Sequence, residues 1–147
     1  MSFQFHGFFA RFDEQVEEAA RKQWPQAAVR TFFNPFHGLG VRLASADELN
    51  ISPDDEEENW EHVMGAIFQM EDELPLWSAQ FAGQKLIFLR AECFGGTCLY
   101  DGFLCCDGST LFQVQRSSTL QELFAWFDVK LPRDSHFEPL TRHFRWY

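Results

Sequence analysis

The stretch from Lys85 to Arg116 constrains this chain more than any other, because two pairs of turn residues, Gly95-Gly96 and Asp107-Gly108, divide it into three runs of strand type. Both pairs suit two-residue hairpins, whose central positions demand positive φ. Three consecutive antiparallel strands are therefore expected. With Gly95 and Gly96 as the loop, Phe94 faces Thr97, Cys93 faces Cys98, Glu92 faces Leu99, Arg90 faces Asp101 and Phe88 faces Phe103. Side chains alternate between the two faces of a strand. This register puts Ile87, Leu89, Ala91, Cys93, Cys98, Tyr100 and Leu104 on one face. Leu86, Phe88, Phe103 and Cys105 lie on the other, with Arg90, Glu92 and Asp101 toward its tip.

The remaining chain supplies helices and a second strand pair. Phe12, Val16, Ala20 and Trp24 recur four apart, with Asp13 and Glu14 at the start and Arg21 and Lys22 at the end, as an amphipathic helix requires. Ala28 to Phe33 and Leu39 to Ala44 read as antiparallel strands around the turn residues Asn34-Pro35-Phe36-His37-Gly38. Ser52-Pro53-Asp54-Asp55 is a helix start, and Trp60, Val63, Met64, Ile67 and Phe68 form the apolar face of a helix running to about Glu71. Leu74 to Phe81 reads as a short, partly helical connection. Ser118, with Gln121 three residues on, opens a third helix with Leu120, Leu123, Phe124 and Phe127 as its stripe. The expected fold class is α+β: an antiparallel sheet of an N-terminal strand pair plus a C-terminal three-stranded meander, packed with about three helices as one domain over residues 1–147.

Composition narrows the function. The chain has 12 Lys and Arg against 22 Asp and Glu, a formal charge of -10. That balance repels phosphate backbones and anionic headgroups, which argues against nucleic-acid partners and membrane surfaces. No apolar run approaches the roughly 20 residues that span a bilayer, and the start Met1-Ser2-Phe3-Gln4-Phe5-His6 lacks the pattern of a secretory signal. Cytoplasmic residence is expected. Eighteen Phe and 5 Trp require a large aromatic core, or a core plus an apolar docking face.

The candidate binding residues fall in two groups. Arg90, Glu92 and Asp101, with Tyr100 beside them, gather at the glycine end of the meander as either a solvent-side charge ladder or a recognition patch. Asp54, Asp55, Glu57 and Glu58 belong to the acidic run at the start of the second helix, where negative charge suits the helix dipole and equally suits a basic partner. Cys93, Cys98, Cys105 and Cys106 match no zinc spacing, and the five histidines fall in no metalloprotease pattern, so neither metal nor cofactor is expected. Cys93 and Cys98 face each other at the closer type of cross-strand position, within reach of a disulfide. In a reducing cytosol both are expected as thiols. The tail Arg142-His143-Phe144-Arg145-Trp146-Tyr147 combines residue types found at binding hot spots, and suits equally a segment docked on the core.

The segment Arg90-Ala91-Glu92-Cys93-Phe94-Gly95-Gly96-Thr97-Cys98, followed by Tyr100 to Gly108, resembles the strand, double-glycine turn, strand, Asp-Gly turn pattern of small bacterial proteins, some of the toxin-immunity type. The resemblance implies an acidic cytosolic α+β protein that binds and masks a toxin, with no catalytic residues. The expected function is thus non-enzymatic: an immunity or antitoxin-type inhibitor of a basic protein partner. The alternatives are a small hydrolase-like enzyme with its site near Arg90, Glu92, Asp101 and Tyr100, and a structural subunit that buries surplus aromatics in a homo-oligomer.

Overall fold

The computed structural model describes residues 2–44, 57–141 and 143–147, with the backbone alone for residues 2 and 57–63. Asp54 and Asp55 lie outside the described residues, as does the expected helix start at Ser52-Pro53. Among the described residues the chain is α+β, built on a six-stranded antiparallel sheet in the order β2 (Ala28–Phe32), β3 (Gly38–Arg42), β1 (Ser2–Arg11), β4 (Leu86–Phe94), β5 (Thr97–Cys106), β6 (Ser109–Ser117).

The expected meander is present as β4 (Leu86–Phe94), β5 (Thr97–Cys106) and β6 (Ser109–Ser117). All five cross-strand pairs expected around the Gly95-Gly96 turn are found in the register of β4 and β5. Gly95, Gly96, Asp107 and Gly108 each take positive φ, as two-residue turns demand. The strand pair is also present, as β2 (Ala28–Phe32) and β3 (Gly38–Arg42).

What joins pair and meander is a further strand, absent from the expected fold. β1 (Ser2–Arg11) lies between β3 and β4 and pairs with both. A strand covered on both faces carries apolar side chains in both directions, so it lacks the alternation that marks a half-buried strand. Phe5 and Phe9 point to one side and Phe8 and Ala10 to the other, all fully buried. Gly7 lets the neighbouring strand approach: a Cβ there would collide with the Val41 carbonyl oxygen.

Helices cover one face of the sheet. α1 (Glu14–Gln23) is capped by Asp13, whose Oδ1 accepts from the N–H groups of Gln15 (2.8 Å) and Val16 (3.2 Å). Phe12 therefore lies outside the helix it was expected to open, and its ring stacks on His37. α2 (Glu57–Trp77) runs beyond the expected end at Glu71 and passes through Pro75 into a 3-10 turn, Ser78–Gln80. Burial of Leu74 and Trp77 outweighs the unfavourable acidic residues Glu71, Asp72 and Glu73. Its inner stripe is Ile67, Met70, Leu74 and Trp77, whereas Phe68, expected on that stripe, is 48% exposed.

The opposite face is covered by α3 (Gln121–Trp126), two 3-10 turns (Asp134–His136 and Glu138–Leu140) and the tail. The expected stripe of Leu120, Leu123, Phe124 and Phe127 packs there on Phe5, Phe9, Phe32, Ile87, Leu89 and Leu104. Ser118 does not cap α3. Asp134 Oδ1 accepts from Leu120 N–H (2.9 Å), and Thr119 Oγ1 accepts from Gln121 N–H (3.2 Å). The tail is docked: Trp146 is buried and its Nε1–H donates to the Pro139 carbonyl at 3.0 Å. Trp146 also forms, with Phe3, Phe5 and Tyr147, an aromatic box around the Arg42 guanidinium.

Candidate functional site

The hairpin-tip end of the sheet gathers the sequence-derived candidates, but on two faces. On the α2 side, β1 adds Gln4 opposite Glu92 and His6 opposite Arg90, so the expected trio is embedded in a wider polar cluster. Arg90 faces Asp101 in register, yet its ion pair is with Glu71 of α2, Nη2 to Oε1 at 3.6 Å. Asp101 has a different task. Its Oδ1 accepts from Arg116 N–H at 3.0 Å, where β6 is bulged against β5 and Arg116 takes positive φ. Glu92 is exposed beside Leu99, its cross-strand neighbour.

His6 is half-buried in this cluster. Burial, then the charges of Arg90 and Arg42, lower its pKa from 6.5 to about 4, so the imidazole is neutral near pH 7. His6 Nδ1 and Arg90 Nε have no hydrogen-bond partner among the described residues. Neither His6 nor Glu71 was singled out as a site residue from the sequence. His6 could have been found only by reading β1 as a strand in register with β4, and Glu71 only by placing α2 across that strand.

Tyr100 points to the other face, as its register position requires, and does not join Arg90, Glu92 and Asp101. It lines an open cleft of about 390 Å³ with Cys93, Gly96, Thr97, Cys98, Ser118, Asp134, Ser135 and Leu140. Burial, reinforced by the charge and hydrogen bond of Asp134, raises the Tyr100 pKa, so its phenol stays protonated. Asp134 is the hub here, because it also accepts from Leu120 N–H and Thr119 Oγ1–H (3.3 Å). No motif marked Asp134; it comes from the weakly patterned tail.

The cysteines divide likewise. Cys93 and Cys98 form a disulfide across the non-hydrogen-bonded position, with Cα atoms 4.0 Å apart, which corrects the expectation of two thiols. Antiparallel pairing already holds the two residues this close, so closing the bond needs no movement of the strands. Cys105 and Cys106 are free and buried. Burial pushes the Cys105 thiol up to about 12, and burial with the neighbouring Asp107 raises that of Cys106. Neither is poised as a nucleophile. Among the described residues no three His, Cys, Asp or Glu side chains converge as metal ligands, and no helix is long and apolar enough to cross a membrane.

The tip also carries exposed apolar area: Phe94 is 59% and Leu99 38% exposed, flanking Glu92. Leu74 meets Cys105 low on the sheet and Glu71, one turn earlier, reaches Arg90 nearer the tip; Glu57 and Glu58 open the first turn of α2, and their side chains lie outside the described residues.

No protein-family model, no curated protein and no solved structure matches this chain. The geometry of the tip therefore stands alone as the basis for a functional reading.

Proposed function

We propose that the chain is a non-enzymatic protein-binding protein, an inhibitor of the immunity type, whose hairpin tip docks on a basic partner. The observation that carries this reading is the exposure of Phe94 and Leu99 on either side of Glu92. Apolar anchors rimmed by charge are the anatomy of a binding hot spot. The charge favours a cationic partner, since the chain carries -10 overall and Glu92 stands exposed between the two apolar anchors. The four residues of the alternative, hydrolase-like reading do not converge, and Glu92 stands exposed. Asp101 holds the β6 bulge, Arg90 pairs with Glu71 and Tyr100 faces the opposite side.

Purification from a bacterial host at low and at high ionic strength tests the proposal. A stoichiometric basic protein that co-elutes at low salt and is released as salt rises is the expected result. A chain that elutes alone at low salt from a host that makes its partner contradicts it.

A further inference from the structure

The Cys93–Cys98 disulfide lines an open cleft and closes only a short loop. Both cysteines are half-buried, and both line the open cleft of about 390 Å³, a volume within the range of small-molecule sites. The bond links residues only 5 apart in sequence, and a cross-link stabilises least when it closes a short loop. The hairpin has other sources of order. Its turn glycines already adopt positive φ, β4 and β5 are paired along their length, and β1 is paired with β4 up to Ser2 opposite Phe94. The other two thiols lie toward the far end of β5, on the order of 20 Å along the strand, buried and held protonated. They cannot act as resolving cysteines, so exchange is confined to the one pair.

We infer that Cys93 and Cys98 form a reversible two-electron thiol–disulfide couple, exchanging with a low-molecular-weight thiol that enters through the cleft lined by Tyr100 and Asp134. In the reducing direction the thiolate of the small molecule attacks one sulfur of the pair. The Cys93–Cys98 bond breaks, a mixed disulfide forms, and the other cysteine leaves as a thiolate that takes up a proton. A second small thiolate attacks the mixed disulfide, releasing the small-molecule disulfide and the second cysteine thiolate, which is protonated in turn. In sum, protein disulfide and two small thiols become protein dithiol and one small disulfide; excess small disulfide drives the reverse. The couple stands whether or not the tip docks a partner.

The test is to equilibrate the folded protein in buffers of reduced and oxidised glutathione at neutral pH, then block free thiols and map them by mass spectrometry. The expected result is a titration of Cys93 and Cys98 together, fully reversed by oxidised glutathione, with Cys105 and Cys106 blocked only in denaturant. A Cys93–Cys98 bond that opens only after unfolding, or that fails to re-form, would overturn the inference. A Cys93→Ser, Cys98→Ser double variant should keep cooperative unfolding, with Tm lower by no more than about 10 °C. Loss of that transition would make the bond a structural staple and would likewise overturn it. Ser135→Trp, which narrows the cleft, should slow reduction severalfold, whereas an unchanged rate rules out entry by this route.

Discussion

Single residues at the tip carry measurable consequences. His6 is held neutral by burial and by Arg90 and Arg42, with a folded pKa of about 4 against 6.5 unfolded. The unfolded chain therefore binds the extra proton first as pH falls. Stability from this residue is fully present above about pH 6.5 and is lost as pH falls toward 4, by an amount of order 2–3 kcal/mol. Chemical denaturation of wild type and His6→Gln across that window should show a shallower pH slope in the variant. Parallel slopes would mean that His6 titrates alike in both states. Gly7 is a harder constraint. Its missing side chain lets β1 lie against β3, and Gly7→Ala should cost about 3 kcal/mol or more, seen as a large drop in the denaturation midpoint.

At the scale of elements, legibility followed local chemistry. The meander and its register were readable because Gly95-Gly96 and Asp107-Gly108 specify their turns without help from the rest of the chain. The α3 stripe was readable because its helix is amphipathic with one face to water. β1 was not, because a central strand is apolar on both sides and Gln4, His6 and Gly7 interrupt the apolar run that remains. The end of α2 lies beyond the expected one because Pro75 and three acidic residues argue locally for a stop, whereas packing of Leu74 and Trp77 decides otherwise. Leu74→Ala should accordingly cost about 2–5 kcal/mol in thermal or chemical unfolding. Gly65, on the exposed side of the same helix with nothing near its missing Cβ, should behave oppositely. Gly65→Ala should raise stability by about 0.5–1 kcal/mol. Of the candidate site, the side of the sheet carrying Arg90, Glu92 and Asp101 was legible from alternation alone. Their partners, Glu71, His6 and the Arg116 amide, were not, because they depend on strand order and on a bulge.

On the scale of the molecule, the two ends of the sheet differ. The tip end gathers Glu92, Phe94, Leu99 and the disulfide, and the opposite end holds the Phe12–His37–Phe33 ring stack and the Asp107-Gly108 turn. Phe33 is also strongly exposed, which makes it a matched control for Phe94: same residue type, similar exposure, opposite end. The central claim is that the tip is the docking surface, and affinity measured with the co-purified basic partner tests it most directly. Phe94→Ala with Leu99→Ala should weaken binding by at least about 100-fold, the loss of two hot-spot side chains, while leaving Tm within a few degrees of wild type. Phe33→Ala should leave affinity unchanged. Equal affinity of wild type and the tip variant, or a loss caused by Phe33→Ala instead, would contradict the account.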